Sequence, residues 1–290
     1  GTVSGTSISF GTAVVFNTAN SPNISATFDS TNGKVAIAYR DGGNSNFGTA
    51  IVGTVSGTSI SFGTPVVFES LNSKDISATF ESTNGKIVIA YKNQSSSRKG
   101  TAVVGEVSGT SISFGTSVVF NTARTENISA AFDSANDRVV IGYQDFGNSE
   151  HGTAIVGTVS GTSISFGTPV VFESAVSNWI SATFDSTNGK VVIGYQDEGN
   201  SSHGTAAVFV TISTTTNADD WIGIAAEAIA DTHSGKVTIL GGVNEGESGL
   251  TAGSIYYLAD DGTLTTASTS GRKVGKALAT DKILITESNT

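Results

Sequence analysis

Cysteine is absent from the 290 residues, which excludes disulfides and thiolate metal sites and leaves the compartment open. Methionine is absent too, at position 1 included, so the chain is expected to be processed, truncated or part of a longer protein; no signal peptide is visible. Charge is scarce at 14% of residues, and no run of about 18 apolar residues exists that could span a bilayer. A net charge of −10 leaves no clustered Lys and Arg to meet a phosphate backbone, and makes an anionic membrane surface an improbable partner. Neither nucleic acid nor membrane insertion is therefore expected.

What the chain does contain is glycine, 35 of them, with abundant Ser and Thr. These alternate with Val, Ile and Phe at regular spacing, the pattern of many short strands between turns and not of a flexible coil. The segment GTVSGTSISFG begins at Gly1, Gly53 and Gly157, and its variant GEVSGTSISFG at Gly105, each start 52 residues after the last. Phe10, Phe62, Phe114 and Phe166 keep the step, as do Tyr39, Tyr91, Tyr143 and Tyr195. A strict, strand-rich period of about 40 to 50 residues predicts a β-propeller.

Each repeat contains four strand-like runs, typified by Ile24 to Asp29, Lys34 to Asp41, Gly48 to Val55 and Ile60 to Phe68. Asn32-Gly33 between the first two is a strong hairpin signal, because both residues tolerate positive φ. Pro65 and Pro169 in the fourth run suit an outer edge. The last repeat lacks its fourth strand after Ile212, whereas the N-terminus opens with an orphan one, Ile8 to Phe16. Pairing the two predicts an all-β fold: a propeller of about four four-stranded blades, closed by the N-terminal strand, followed by a small C-terminal β domain. The alternative is an open stack of repeats within a longer fibre. At blade level the Val-Ser-Gly-Thr-Ser-Ile-Ser-Phe turn resembles the Asp-box hairpin of sialidase-type propellers, without the box's Asp.

The turns Val-Ser-Gly-Thr-Ser and Ser-Thr-Asn-Gly barely change between copies. The segments NTANSPN, ESLNSKD, NTARTEN and ESAVSNW after the fourth strand do change, as do DGGNSNF, NQSSSRK, DFGNSEH and DEGNSSH after the second. Both sets are expected as loops at one end of the blades, the candidate binding face if they are not merely less constrained. There Trp179 could stack on a sugar or anchor the core. Tyr39, Tyr91, Tyr143 and Tyr195 lie near that end, though strict repetition makes them blade packing first. Asp145 and Asp197 could accept sugar hydroxyls or cap turns. His151 and His203 share a repeat position with Phe47 and Lys99, so no metal site is expected, and no cofactor.

The repeats are assigned to residues 1–212, a Thr-rich linker to 213–217 and a small β domain to 218–290, used for attachment or oligomerisation. Within the last, Trp221 to Ile229 reads as a short helix or a strand, KVTIL, SIYYLA, GTLTT and KILIT read as strands, and Asp261-Gly262 as a tight turn. The stretch Gly249-Leu-Thr-Ala-Gly-Ser-Ile-Tyr-Tyr-Leu-Ala-Asp-Asp-Gly-Thr-Leu, with Gly275-Lys-Ala-Leu-Ala-Thr-Asp-Lys-Ile-Leu-Ile and Trp221-Ile-Gly-Ile-Ala-Ala-Glu-Ala-Ile-Ala-Asp, resembles a C-terminal module of marine and cyanobacterial phage structural proteins. The 52-residue repeat looks like theirs as well. That resemblance implies a virion-surface or tail-fibre location outside the host cell, a homotrimer, other virion proteins as partners, and attachment to a host-surface glycan or protein. It carries no catalytic residues.

An enzyme is not expected. Arg40, Arg98, Arg124, Arg138 and Arg272 are scattered, and Asp29, Glu81, Asp133 and Asp185 are one position repeated. A catalytic pair needs unlike environments to separate its pKa values. The readings kept beside host attachment are a purely structural decoration or spacer protein and a bacterial secreted lectin or adhesin.

Overall fold

The Ser-Thr-Asn-Gly hairpins form as their chemistry dictates. Gly33, Gly85 and Gly189 take φ of 64°, 64° and 62°, the left-handed region that a side chain resists. In the third repeat Asp137 holds that place at 55°. A carboxylate caps each turn: Asp29 Oδ1 accepts from the Thr31 and Asn32 amides at 3.0 Å, and Glu81, Asp133 and Asp185 do the same one repeat on.

The computed structural model describes residues 2–209, 224–225, 237–238, 243–244, 248–258, 264–266 and 272–285. The chain separates into two compact units, Gly1–Thr211 and Ile212–Thr290. The first begins with a hairpin, β1 (Thr2–Ser4) and β2 (Ser7–Ser9), followed by β3 (Ser25–Asp29) and β4 (Lys34–Asp41). Next come β5 (Phe47–Ser56), β6 (Ser59–Phe62), β7 (Val66–Glu81), β8 (Lys86–Asn93), β9 (Lys99–Ser108) and β10 (Ser111–Phe114). The pattern continues through β11 (Val118–Asp133), β12 (Arg138–Asp145), β13 (His151–Ser160), β14 (Ser163–Phe166), β15 (Val170–Asp185), β16 (Lys190–Asp197) and β17 (His203–Phe209). All pairing is antiparallel, along one path from β3 to β17 with β6, β10 and β14 as short branches.

The expected fourth strand exists in two pieces. β6 covers one half of β5 and the start of β7 covers the other, with Gly63 to Pro65 stepping out between them. Proline has no N–H to offer a ladder, and Gly63 lies so close to the Thr110 carbonyl of the next repeat that no side chain fits.

β7, β11 and β15 run 16 residues each and belong to two sheets at once. The first half of β7 is the outer strand beside β5, and the second half is the inner strand beside β8. The segments ESLNSKD, NTARTEN and ESAVSNW, expected as loops, therefore lie inside continuous strands. They bend at a register irregularity, between Lys74 and Ser77 in β7 and at the matching positions of β11 and β15. Only NTANSPN, in the first repeat, is free of strand.

Successive four-stranded sheets pack face to face. The small face of one repeat (Ala36, Ala38, Ala50, Val52) meets the large face of the next (Ile87, Ile89, Tyr91, Val103). Val88, Ala90, Ala102 and Val104 meet Val139, Ile141, Tyr143 and Ile155 in the same way, and Val140 and Ala154 meet Val191, Ile193 and Tyr195. Each fully buried Ile or Val contributes roughly 1.5–3 kcal/mol relative to exposure, so these faces are the main source of stability. Ser25 Oγ accepts from the Ala78 amide at 2.9 Å, tying neighbouring inner strands, and Ser77 and Ser129 repeat the bond.

Among the described residues, the ring expected from pairing Ile8–Phe16 with Gly204–Ile212 does not form: Ser7–Ser9 fold back on Thr2–Ser4, residues 10 to 16 carry no strand, and the described partner of β17 is β16. β7, β11 and β15 each continue from the outer strand of one repeat into the inner strand of the next, so the described path runs from β3 to β17.

The second unit contains β18 (Ile224–Ala225), β19 (Val237–Thr238), β20 (Val243–Asn244), β21 (Ile255–Leu258), β22 (Leu264–Thr265), β23 (Arg272–Ala277) and β24 (Ile283–Ile285). The last five form a sheet in the order β20-β24-β23-β21-β22, packed around Leu250, Tyr256, Val274, Ala277 and Ile283. The four expected strands thus coincide with β19, β21, β22 and β24, while β20 and β23 fall outside them. Ile224–Ala225, within the stretch read as helix or strand, are strand paired with β19. The linker at 213–217 and the Asp261-Gly262 turn lie outside the described residues. Among the described residues no helix is long and apolar enough to cross a membrane.

Candidate functional site

The bend in each long strand, and the matching place ahead of β3, puts one residue in left-handed backbone. Asn23, Asp75, Asn127 and Trp179 occupy this position with φ of 56°, 48°, 52° and 53°. Asn and Asp adopt such angles readily, whereas a bulky aromatic does so at a cost in strain. Trp179 is nevertheless 77% exposed, so no core contact repays that strain. Of the two sequence readings of Trp179, the anchoring one does not survive.

Polar groups with converging hydrogen bonds surround the Trp179 backbone. Asn178 Nδ2 donates to Glu198 Oε1 at 2.6 Å, and Gln144 Nε2 donates to Asn178 Oδ1 at 3.1 Å and to Glu150 Oε2 at 3.2 Å. Asn127 Nδ2 donates to Gln144 Oε1 at 2.9 Å. Asn178, Gln144 and Glu150 thus come from two adjacent repeats and fix one another beside the exposed indole. Glu198 belongs to a single 3₁₀ turn, Glu198–Asn200, matched by Phe146–Asn148 one repeat earlier. Next to the earlier turn, the Arg124 guanidinium lies 3.8 Å from the Phe146 ring centre.

The tyrosines are packing residues. Tyr39, Tyr91, Tyr143 and Tyr195 are buried against Phe16, Phe68, Phe120 and Phe172, with ring centres 5.1–5.3 Å apart. Burial, then the nearby Asp41 charge, pushes the Tyr39 phenol up to about 12. Burial followed by Glu173 does the same for Tyr195, and burial raises Tyr91 and Tyr143 as well. A ligand cannot reach their rings without unpacking the sheets. Asp145 and Asp197 cap turns: Asp145 Oδ1 accepts from the Gly147 amide at 2.9 Å and Asp197 Oδ1 from the Asn200 amide at 3.2 Å.

The two segments expected to share an end are joined there. Asn17 Nδ2 donates to Asp41 Oδ1 at 3.1 Å and Asn121 Nδ2 to Asp145 Oδ1 at 2.9 Å. In the second repeat the roles are exchanged, and Asn93 Nδ2 donates to Glu69 Oε2 at 2.9 Å. The fourth repeat alone places two carboxylates at this pair of positions, Glu173 and Asp197. Glu173 Oε2 accepts instead from the Tyr195 hydroxyl at 3.1 Å. The end that carries Trp179 is therefore also the most acidic of the equivalent junctions.

Sequence reasoning missed an ionic cluster between the second and third repeats. Lys92, buried, bridges Asp75 at 2.9 Å and Glu126. Burial pushes the Asp75 carboxyl up, against the pull of Lys92. For Glu126 burial acts upward too, but hydrogen bonds from Lys92, Asp75 and Arg124 outweigh it and hold the carboxyl below its ordinary value. The signal was available: Lys92 replaces Arg40, Gln144 and Gln196 at one repeat position, and Glu126 replaces Pro22, Lys74 and Asn178 at another. Among the described residues no group of three or more His, Asp or Glu is placed to hold a metal. His151 lies opposite Asp145 and Val176 in neighbouring strands, and His203 opposite Asp197.

No protein-family model matches the chain, and no curated protein matches it.

Proposed function

We propose that this chain is a non-enzymatic virion-surface or tail-fibre protein that attaches to a host-surface glycan or receptor through the Trp179 end of its repeat array. The reading rests on one observation: a large aromatic ring is held exposed on a strained backbone, where its three equivalents are Asn, Asp and Asn. Strain of this kind persists only where the surrounding structure enforces it, and it clusters at ligand contacts. An exposed indole offers a flat apolar platform to the C–H face of a sugar, and the amides and carboxylates of Asn178, Gln144, Glu150 and Glu198 offer donors and acceptors to its hydroxyls.

The repeats serve as the scaffold, propeller-type blades packed face to face in an open array. The phage-module resemblance of residues 249–285 supports the virion location, and with it the trimer and the other virion proteins as partners. The carboxylates repeated at Asp29, Glu81, Asp133 and Asp185 cap hairpin turns, which supports the non-enzymatic reading. The reading as spacer has its own observation in the loop carboxylates Asp41, Asp145 and Asp197, all engaged in holding their turns.

Trp179→Asn separates the two. The variant installs the residue found at 23 and 127, keeps the fold and removes only the ring. On a glycan array the native chain is expected to bind a defined set of sugars, and Trp179→Asn to lose at least tenfold in affinity. Binding by neither chain would favour the spacer, and equal binding by both would move the attachment site away from Trp179.

A further inference from the structure

We propose that Arg40 and Lys74 form a site for an oxyanion, the carboxylate or sulfate of an acidic glycan, at the junction of the first and second repeats. The three junctions between repeats use one set of places, 52 residues apart. In the second, Lys92 bridges Asp75 of its own repeat and Glu126 of the next. In the third, Gln144 bonds Asn127 and Glu150 of its own repeat and Asn178 of the next. In both, the central side chain is satisfied from within the protein.

The first junction has Asn23, Arg40, Asn46 and Lys74 at these places, two cations and no carboxylate. Arg40 and Lys74 stand 34 residues apart, the separation of Lys92 from Glu126 and of Gln144 from Asn178, and both those pairs are in contact. The two cations are half-buried. Among the described residues neither side chain has a hydrogen-bond or ion-pair partner. Arg40 Nε is shut away from solvent and bonds nothing. A buried donor left unmade costs free energy, and neighbouring like charges oppose each other.

The carboxylates closest in sequence are already engaged. Asp41 Oδ1 accepts from Asn17 Nδ2 and the Gly43 amide, and Asp75 holds Lys92. Nor does the backbone demand cations here, since the third junction fills the same places with amides. An oxyanion supplies what is missing. The guanidinium offers a planar fork to two oxygens and the ammonium a point charge. Asn23 and Asn46 occupy the places from which Asn127 and Glu150 bond the central group of the third junction. In a chain of net charge −10 no diffuse field draws an anion in, so selectivity has to come from these side chains. Asn23 is also the first-repeat equivalent of Trp179, which puts the site at the indole's end of the array. That a glycan carries the anion rests on the attachment reading; the anion site does not.

Thermal unfolding of the 290-residue chain tests this, with sodium glucuronate or sodium sulfate titrated against sodium chloride at matched ionic strength. Arg40→Gln with Lys74→Asn gives the first junction the Asn, Gln, Asn set of the third. This double variant is expected to fold, by circular dichroism, and to unfold above the native midpoint in chloride. At least one of the two anions should raise the native midpoint by about 2–4 °C more than it raises that of the double variant. The comparison also removes the general salting effect of sulfate, which all the chains share. Lys74→Asn alone should lose most of the extra rise, and Arg98→Gln, an exposed cation outside this junction, should keep it. A response to glucuronate alone assigns a carboxylate, and one to sulfate alone a sulfate ester. Equal rises in native and double-variant chains would overturn the proposal, as would a rise that Arg98→Gln abolishes equally. Free anions are read here, so the outcome is independent of glycan binding through Trp179.

Discussion

Trp179 shows at the level of one residue how a repeat departs from its own consensus. Asn tolerates the left-handed region, and replacing Trp179 by Asn should raise stability by about 1 kcal/mol even as the exposed ring is lost. Thermal unfolding of the two chains measures this; an unchanged or lower midpoint would remove the argument from strain. Asp197 offers a second case. In the second repeat Asn93 both accepts from the Ser96 amide at 3.1 Å and donates to Glu69. Asp197 accepts from Asn200 but has no proton to give Glu173. Asp197→Asn should keep the turn cap and add a charge-assisted bond, stabilising the protein by roughly 1–2 kcal/mol. A fall in the unfolding midpoint would mean that Glu173 and Asp197 do not confront each other as their equivalents do.

Between elements, the coupling of repeats has two interchangeable chemistries. Lys92, Asp75 and Glu126 form an ionic junction, and Gln144, Asn127 and Asn178 form an amide junction at the same positions one repeat later. Lys92→Gln alone strips a buried cation from two carboxylates and should cost about 3–5 kcal/mol. Adding Asp75→Asn and Glu126→Asn installs the complete amide set and should recover most of that loss, as a triple-variant denaturation series would show. Failure to recover would locate the loss in packing around the Lys stem. This level is also where sequence and structure part. The 52-residue step, the hairpins at Gly33 and its equivalents, and the four strands per repeat are legible because each rests on local chemistry repeated in register. The variable segments resemble loops in the sequence because they are polar and lack alternation. Yet Asn72 pairs with Phe47 of β5, and Ser73 and Lys74 pair with Asn93 and Lys92 of β8, a demand that only the neighbouring sheets impose. The same limit applies to the site. Trp179 stands out by type, but its exposure and its backbone angle depend on the bend between two sheets.

Across the whole molecule, the four repeat tyrosines set an alkaline boundary. Each phenol is raised by burial, Tyr39 and Tyr195 to about 12. A folded value above the unfolded value of about 10 means that stability is fully present below pH 10 and declines as pH climbs toward 12. Tyrosinate absorbance of these residues should therefore appear together with the loss of β-sheet signal, not ahead of it. Early ionisation of all of them in folded protein would contradict their burial.

The strands shared by two sheets carry one more consequence. Because β7, β11 and β15 each close one repeat and open the next, no hinge separates neighbours, and a gain or loss of 52 residues at any junction reproduces the joints on either side. Gene duplication can lengthen or shorten such an array by whole units, a molecular ruler whose graduations are already cut.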